Sequence, residues 1–224
     1  MRTEHTDALE RPSLRLKADT RPAHDEVERS PFAAKLATGS VSRGDYARQL
    51  IAYGRLHAAL EARTNGTSLP VVVRSVWAFD DAAELGFGDR RLAGPAEHVV
   101  AALEARILGE TSFARLCGYA YVLEGSALGS AFMAPKLASA LGLQPSQVRY
   151  YRGLGPCTMQ AWQEMRTALD RALSDPEPYA AALAGALAFF GQMGLVLTAI
   201  DDVARAEPRP RPSSVPRALS DSAL

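Results

Sequence analysis

Apolar residues recur three and four positions apart through most of this chain, in long Ala- and Leu-rich segments, and alternating runs of Val, Ile or Thr are few. A period near 3.6 belongs to helices with one face turned to a core, whereas half-buried strands need a period of two. The pattern therefore predicts an all-α protein, with helices near 13–29, 42–64, 69–84, 95–108, 111–142, 156–174 and 177–204 and short helical pieces between them. Ser42 is placed to cap the second of these, Asn65-Gly66 to close it, and Asp175-Pro176 to interrupt the chain before the last long helix. Pro22 complicates the first, because it has no amide proton and its ring crowds the carbonyl of Ala18. Two geometries follow. Either the helix kinks there, or Thr20 acts as an N-cap and a new helix starts at Arg21.

A chain of 224 residues with 47% apolar content supports one substantial core, and no internal repeat is visible. Residues 1–12 read as a polar leader, 13–205 as the helical domain, and the Pro-, Arg- and Ser-rich 206–224 as a tail. Twenty-five basic residues balance twenty-five acidic ones, so no global field points to nucleic acid or to an anionic membrane. Cys117 and Cys157 form no close pair in the sequence, which fits reduced thiols in a cytoplasm. The first residues contain no apolar signal core, and the most apolar later stretches are interrupted by Glu124, Pro135, Gln192 and Asp201. Neither export nor membrane spanning is expected.

Candidate chemistry begins with Lys17, Arg21, His24 and Glu28, which share one helical stripe. A neutral imidazole offers a lone pair to a metal while a carboxylate one turn away orients its other nitrogen, and two cations suit peripheral carboxylates. Heme has both features. An ordinary histidine with a helical ion-pair neighbour has the same spacing. A second segment, YVLEGSALGSAF at 121–132, puts Gly125 and Gly129 four apart in an otherwise good helix, each at a cost of about 1 kcal/mol relative to alanine. Either close helix packing or a planar ligand lying against the backbone would account for them.

The two segments together resemble the biliverdin-producing heme oxygenases, particularly the bacterial branch associated with bacterial phytochromes. The resemblance rests on LKADTRPAHDEVE at 16–28, YARQLIAYGRLHAALE at 46–61, YVLEGSALGSAF at 121–132, RYYRGLG at 149–155 and Trp162. It implies a single-domain helical bundle holding heme between a proximal and a distal helix. It further implies His24 as the iron ligand, Lys17 and Arg21 as propionate partners, Glu28 as the group behind His24, and Gly125, Ser126 and Gly129 on the distal side. The implied reaction opens heme to biliverdin, carbon monoxide and ferrous iron. Dioxygen and an external electron donor, a ferredoxin or a flavoprotein reductase, would be its partners, since the chain has no flavin or nicotinamide motif.

The sequence departs from the animal pattern at Ser126, where an aspartate follows the first distal glycine, and at Ser130, which replaces a further glycine. A hydroxyl holds water but is a poor acid near neutral pH, and Ser130 is expected to narrow the pocket. Pro135 is expected to kink the helix. No His or Cys lies in the distal segment, and Met133 follows the glycines, so the sixth iron position is left open. His57 reads as a packed or surface histidine and His98 as part of a helix start. Tyr119, Tyr121, Phe132 and Trp162 read as core aromatics. Arg149, Arg152 and Arg166 are within conceivable reach of propionates but read as solvated or ion-paired. A heme carrier or sensor on the same fold, and a helical interaction protein without heme, are the rival functions.

Overall fold

The computed structural model describes residues 11–206; the leader up to residue 10 and the tail from 207 lie outside the described residues. Among the described residues there are no strands. The α-helices are α1 (Pro12–Asp19), α2 (Arg21–Glu28), α3 (Pro31–Thr38), α4 (Arg43–Thr64), α5 (Ser75–Glu84), α6 (Gly94–Gly109), α7 (Phe113–Leu141), α8 (Arg149–Arg152), α9 (Thr158–Ala172) and α10 (Pro176–Ala206). The all-α expectation holds. Ser42 does cap α4, its hydroxyl accepting from the Asp45 amide at 3.1 Å.

Local chemistry explains where the boundaries differ from those the pattern predicts. The first predicted helix divides at Thr20, as the second geometry requires, but Thr20 does not cap α2. Its backbone stays helical (φ −93°, ψ −6°) and its hydroxyl donates back to the Leu16 carbonyl at 2.6 Å. A hydroxyl engaged with the preceding turn is not free to accept from the next one. The helix predicted from 69 starts only at Ser75, because Pro70 and the β-branched Val71, Val72 and Val73 hold the chain out of helix. Its first amides are received by a distant side chain, with Glu61 Oε1 accepting from Arg74 N at 2.7 Å and Ser75 N at 3.0 Å.

Helices α7 and α10 form the centre. Gly118 lets them touch backbone to backbone, since a Cβ there would stand 2.2 Å from the Ala182 carbonyl oxygen. Gly185 does the same for Arg115, and the Tyr119 and Phe189 rings pack beside the crossing at 5.3 Å. Residues Pro176–Val203 of α10 are long and apolar enough to cross a membrane by length and composition, despite Gln192 and Asp201. Half of that span is buried inside the protein, as in a core helix, and Asp201 pairs with Lys35 of α3. Helix α1 is tied to this centre by Tyr179 Oη donating to Asp19 at 2.6 Å and by the Arg15 guanidinium over the Tyr179 ring at 4.0 Å. To α9 it is tied by Ser13 N donating to Asp170 at 2.8 Å.

His57 is fully buried and shares a hydrogen bond of 3.1 Å with the Tyr150 hydroxyl. Burial, reinforced by the Arg74 charge, pushes its pKa down to about 3. The folded value thus lies below the ordinary 6.5, so the unfolded chain takes up the proton first as pH falls. His57 therefore supports the fold fully above pH 6.5 and progressively less from there down to about pH 3. A His57→Gln variant should lose less stability than the parent across that window, read as urea midpoints at stepped pH. Equal acid sensitivity in the two proteins would refute this assignment.

Candidate functional site

His24 stands in the second turn of α2, where the Thr20 carbonyl accepts its amide at 3.0 Å. Its ring packs edge-on against Phe190 of α10, with centroids 5.8 Å apart. Nδ1 is buried without a hydrogen-bond partner and lies 3.6 Å from Asp25 Oδ1 and 3.6 Å from Glu28 Oε2. The side chain as a whole is 43% exposed. With Nδ1 covered, the accessible part of the ring is the edge that includes Nε2. That is the arrangement a metal-ligating histidine needs: one nitrogen against carboxylates, the other free.

Glu28 is therefore where the sequence stripe places it, but it shares the position with Asp25, which three- and four-residue spacing does not single out. Asp25 is also the partner of Arg21, whose Nε lies 2.7 Å from its Oδ1. That guanidinium holds the Asp25 carboxyl below the usual carboxylate range. Lys17 lies in the last turn of α1, across the Thr20 break from His24, so the two are not on one continuous helix.

On α7 the expected stripe is uncovered. Ser126, Gly129 and Phe132 are exposed or half-buried and Gly125 half-buried, while Leu123, Glu124, Ala127 and Ser130 face inward. The two glycines differ. A Cβ at Gly129 would meet nothing within 4 Å, whereas one at Gly125 would stand 3.3 Å from Trp162 Cη2. Neither abuts a backbone, in contrast to Gly118: Gly125 is packed by a side chain of α9 and Gly129 by nothing. Helices α2 and α7 both pack on α10 and make little contact with each other.

Several expectations about α7 need correction. Ser130 does not narrow the exposed face: it is buried and its hydroxyl donates to the Ser126 carbonyl at 3.0 Å. Ser126 likewise donates to Leu123 O at 2.7 Å. Serine hydroxyls in a helix interior are drawn to the preceding carbonyls, which takes them out of the space beside the helix. Pro135 lies inside α7, which continues past it to Leu141, and a proline there bends a helix without ending it. Phe132 is 86% exposed and belongs to the open stripe rather than the core, whereas Tyr119 and Tyr121 are buried and Trp162 half-buried.

The other weighed residues lie elsewhere. His98 Nδ1 pairs with the Gly94 carbonyl at 3.1 Å at the start of α6. Arg149 is bound to Asp81 at 3.0 Å and to Glu84, and Arg152 donates to the Pro145 carbonyl at 3.2 Å. Burial raises the Asp81 carboxyl to about 6 although the Tyr150 amide and Arg149 favour its charge. Arg166 is half-buried on α9, its Nε 3.5 Å from the Ser13 hydroxyl. Burial pushes the Cys117 thiol up to about 12, so it is an inert core residue. Two surface cavities, of about 360 and about 470 Å³, lie between Ser68 and α9 and beside the Ala131–Ala138 stretch of α7. Neither is lined by His24, Gly125 or Gly129.

Comparison with known proteins bears on the family and the fold. The heme oxygenase family profile matches residues 11–198. No curated protein sequence gives a significant match. Among solved structures, the heme oxygenase of Leptospira interrogans superposes with a TM-score of 0.70 at 20% identity, over 84% of this chain and 98% of that one. A heme oxygenase from the cyanobacterium Synechocystis, in complex with heme, gives 0.70 at 13% identity, over 87% and 96%. A domain of unknown function with a heme oxygenase-like fold from Shewanella denitrificans gives 0.58 at 18% identity, over 84% and 90%.

Proposed function

Because the chain belongs to the heme oxygenase family, we propose that it binds heme between α2 and α7 and opens it to biliverdin, carbon monoxide and ferrous iron. The observation that carries this reading is the pairing of a half-exposed His24, its Nδ1 held against two carboxylates, with an uncovered small-residue stripe on α7. The residues fit the group: Nε2 of His24 is the accessible donor, and Gly129 leaves room for a flat ring against a helix backbone. Bound heme supplies the iron at which dioxygen is reduced by electrons from a separate cytoplasmic ferredoxin or flavoprotein reductase.

The chain's own contribution is orientation and control of water. The Asp25 and Glu28 carboxylates, each 3.6 Å from Nδ1, favour a proton on that nitrogen and so leave Nε2 as the metal donor. Lys17 and Arg21 are the candidate propionate partners, Arg21 by exchanging Asp25 for a propionate at the exposed end of the pair. Gly125, Ser126 and Gly129 supply the distal surface, and none of the three brings an imidazole, thiol or thioether to compete for iron. The back-bonded but exposed Ser126 hydroxyl keeps a lone pair as an acceptor for ordered water but brings no acid to that surface, so protons reach it through water. Purified protein given hemin and a ferredoxin system, or ascorbate, should convert the Soret spectrum to that of biliverdin. Persistent intact heme would refute the enzyme.

The missing distal acid also favours one alternative, a heme carrier or sensor on the same fold, in which the Soret band forms and survives reduction under air. Gly129 separates both heme readings from a protein that binds none. Gly129→Ala should stabilise the heme-free protein by about 1 kcal/mol, because the added methyl meets open space in a helix. Gly129→Leu should fold equally well yet weaken heme binding about tenfold or more, since its side chain fills the slot. Unchanged affinity in a hemin titration would place heme elsewhere.

A further inference from the structure

Gly125 is the distal glycine that the structure does not leave open. Trp162, reaching across from α9, lays the six-membered edge of its indole on the α7 backbone there. A Cβ at Gly125 would lie 3.3, 3.7 and 3.9 Å from Cη2, Cζ3 and Cζ2. One turn earlier on the same face, the Tyr121 ring lies 5.8 Å from the indole at 47°. Tyr121 is buried, and its phenol interacts with Thr20 at the junction of α1 and α2. Thr20, Tyr121 and Trp162 thus form one continuous wall linking the helix that carries His24 to the helix that carries the open stripe. Beyond the indole the stripe lies open at Gly129 and Phe132.

A wall at one end of an otherwise uncovered stripe has a chemical consequence. The ring of heme has nearly fourfold symmetry, so ligation at its centre by His24 leaves rotation in the ring plane undetermined. Only contacts at the rim choose among the four meso carbons. Flexible surface cations such as Lys17 and Arg21 hold a propionate loosely, whereas an indole clamped between a backbone and a buried tyrosine is fixed in position. We infer that Trp162 is a positioning residue, the rigid rim contact that sets the in-plane orientation of heme and hence the meso carbon at which the ring opens. This rests on the heme oxygenase reading above. It also gives Gly125 its role: any side chain there would displace the indole.

The test compares Trp162→Ala and Trp162→Phe with the parent protein. Each is loaded with hemin and cyanide, the proton NMR of the hyperfine-shifted heme methyl groups is recorded, and the biliverdin isomers formed on turnover are separated chromatographically. The methyl shifts report in-plane orientation without turnover. In W162A the ratio of orientations, and of isomers, should shift by about fivefold or more, the size expected when one aromatic pair is removed. W162F should stay near the parent. An unchanged methyl pattern in W162A with heme bound overturns the proposal. Loss of heme from both variants with helicity intact overturns it too, because Trp162 would then govern affinity. A parent protein that binds no heme fails the functional reading itself, which the Soret titration shows before any variant is made.

Discussion

Replacing His24 with alanine should abolish the Soret shift of bound ferric heme and reduce turnover by more than about 100-fold. Loss of an outer-shell partner alone costs about 10–100-fold in metal sites, and removing the ligand itself should exceed that. The fold should not notice: the side chain is 43% exposed and its Nδ1 hydrogen-bonds to nothing, so no buried partner is orphaned. Unfolding midpoints of the heme-free parent and variant should agree within about 0.5 kcal/mol. Added imidazole should restore part of the spectrum by entering the space left behind. A variant that keeps the parent's ferric spectrum without imidazole would show that another residue holds the iron. Among the described residues, His57 is the other histidine reaching the interior, but it is fully buried and bound to Tyr150.

Gly118→Ala should be the most damaging alanine substitution among the glycines of the described residues. The new Cβ would lie 2.2 Å from the Ala182 carbonyl oxygen and 2.8 Å from the Ala186 amide nitrogen, both backbone atoms that cannot rotate away. Helices α7 and α10 would have to move apart, loosening the Tyr119–Phe189 contact and the Gly185–Arg115 approach with them. Overpacking of this kind costs roughly 3 kcal/mol, only partly offset by alanine's helix propensity. For a domain of this size the net loss of about 2 kcal/mol should lower the melting temperature by roughly 4–8 °C. Because α10 carries Phe190 against His24 and α7 carries Gly129, heme affinity should fall as well. Equal melting temperatures would mean the helices do not meet at Gly118. The opposite signs expected for alanine at Gly118 and at Gly129 come from a difference invisible in the one-dimensional pattern.

The helical pattern is legible because burial imposes a period, and a period survives in one dimension. Helices α4, α6, α7, α9 and α10 fall within a few residues of the segments that hydrophobic spacing and caps predict. The start of α5 departs from the pattern because Pro70 and the three valines after it keep the chain out of helix, and its first amides are then received by Glu61 of another helix. Helix α3 at 31–38 is one of the short helical pieces expected between the predicted segments, and Ser30, Pro31 and Gly39 mark its start and stop. Asp25 escapes a reading by helical spacing because i and i+1 are not usually neighbours on a helix face. Yet beside His24 it approaches the same nitrogen as Glu28.

By itself, the sequence determined the helical class, the family resemblance, and the candidate residues of the heme site proposed above: His24 with Glu28, and Gly125 with Gly129. Those depend on residue identity and short-range spacing, which the chain carries directly. Tertiary structure alone decided what each glycine is for, because a missing side chain matters only through what stands opposite it. Gly118 admits a backbone, Gly125 admits the Trp162 indole, and Gly129 opens on unfilled space. It also decided that Phe132 is exposed, that the serine hydroxyls bond back to their own helix, and that Arg149 answers to Asp81 rather than to a ligand. Trp162 meets α7 and Phe190 meets His24 across long stretches of intervening chain, and no local spacing encodes such contacts.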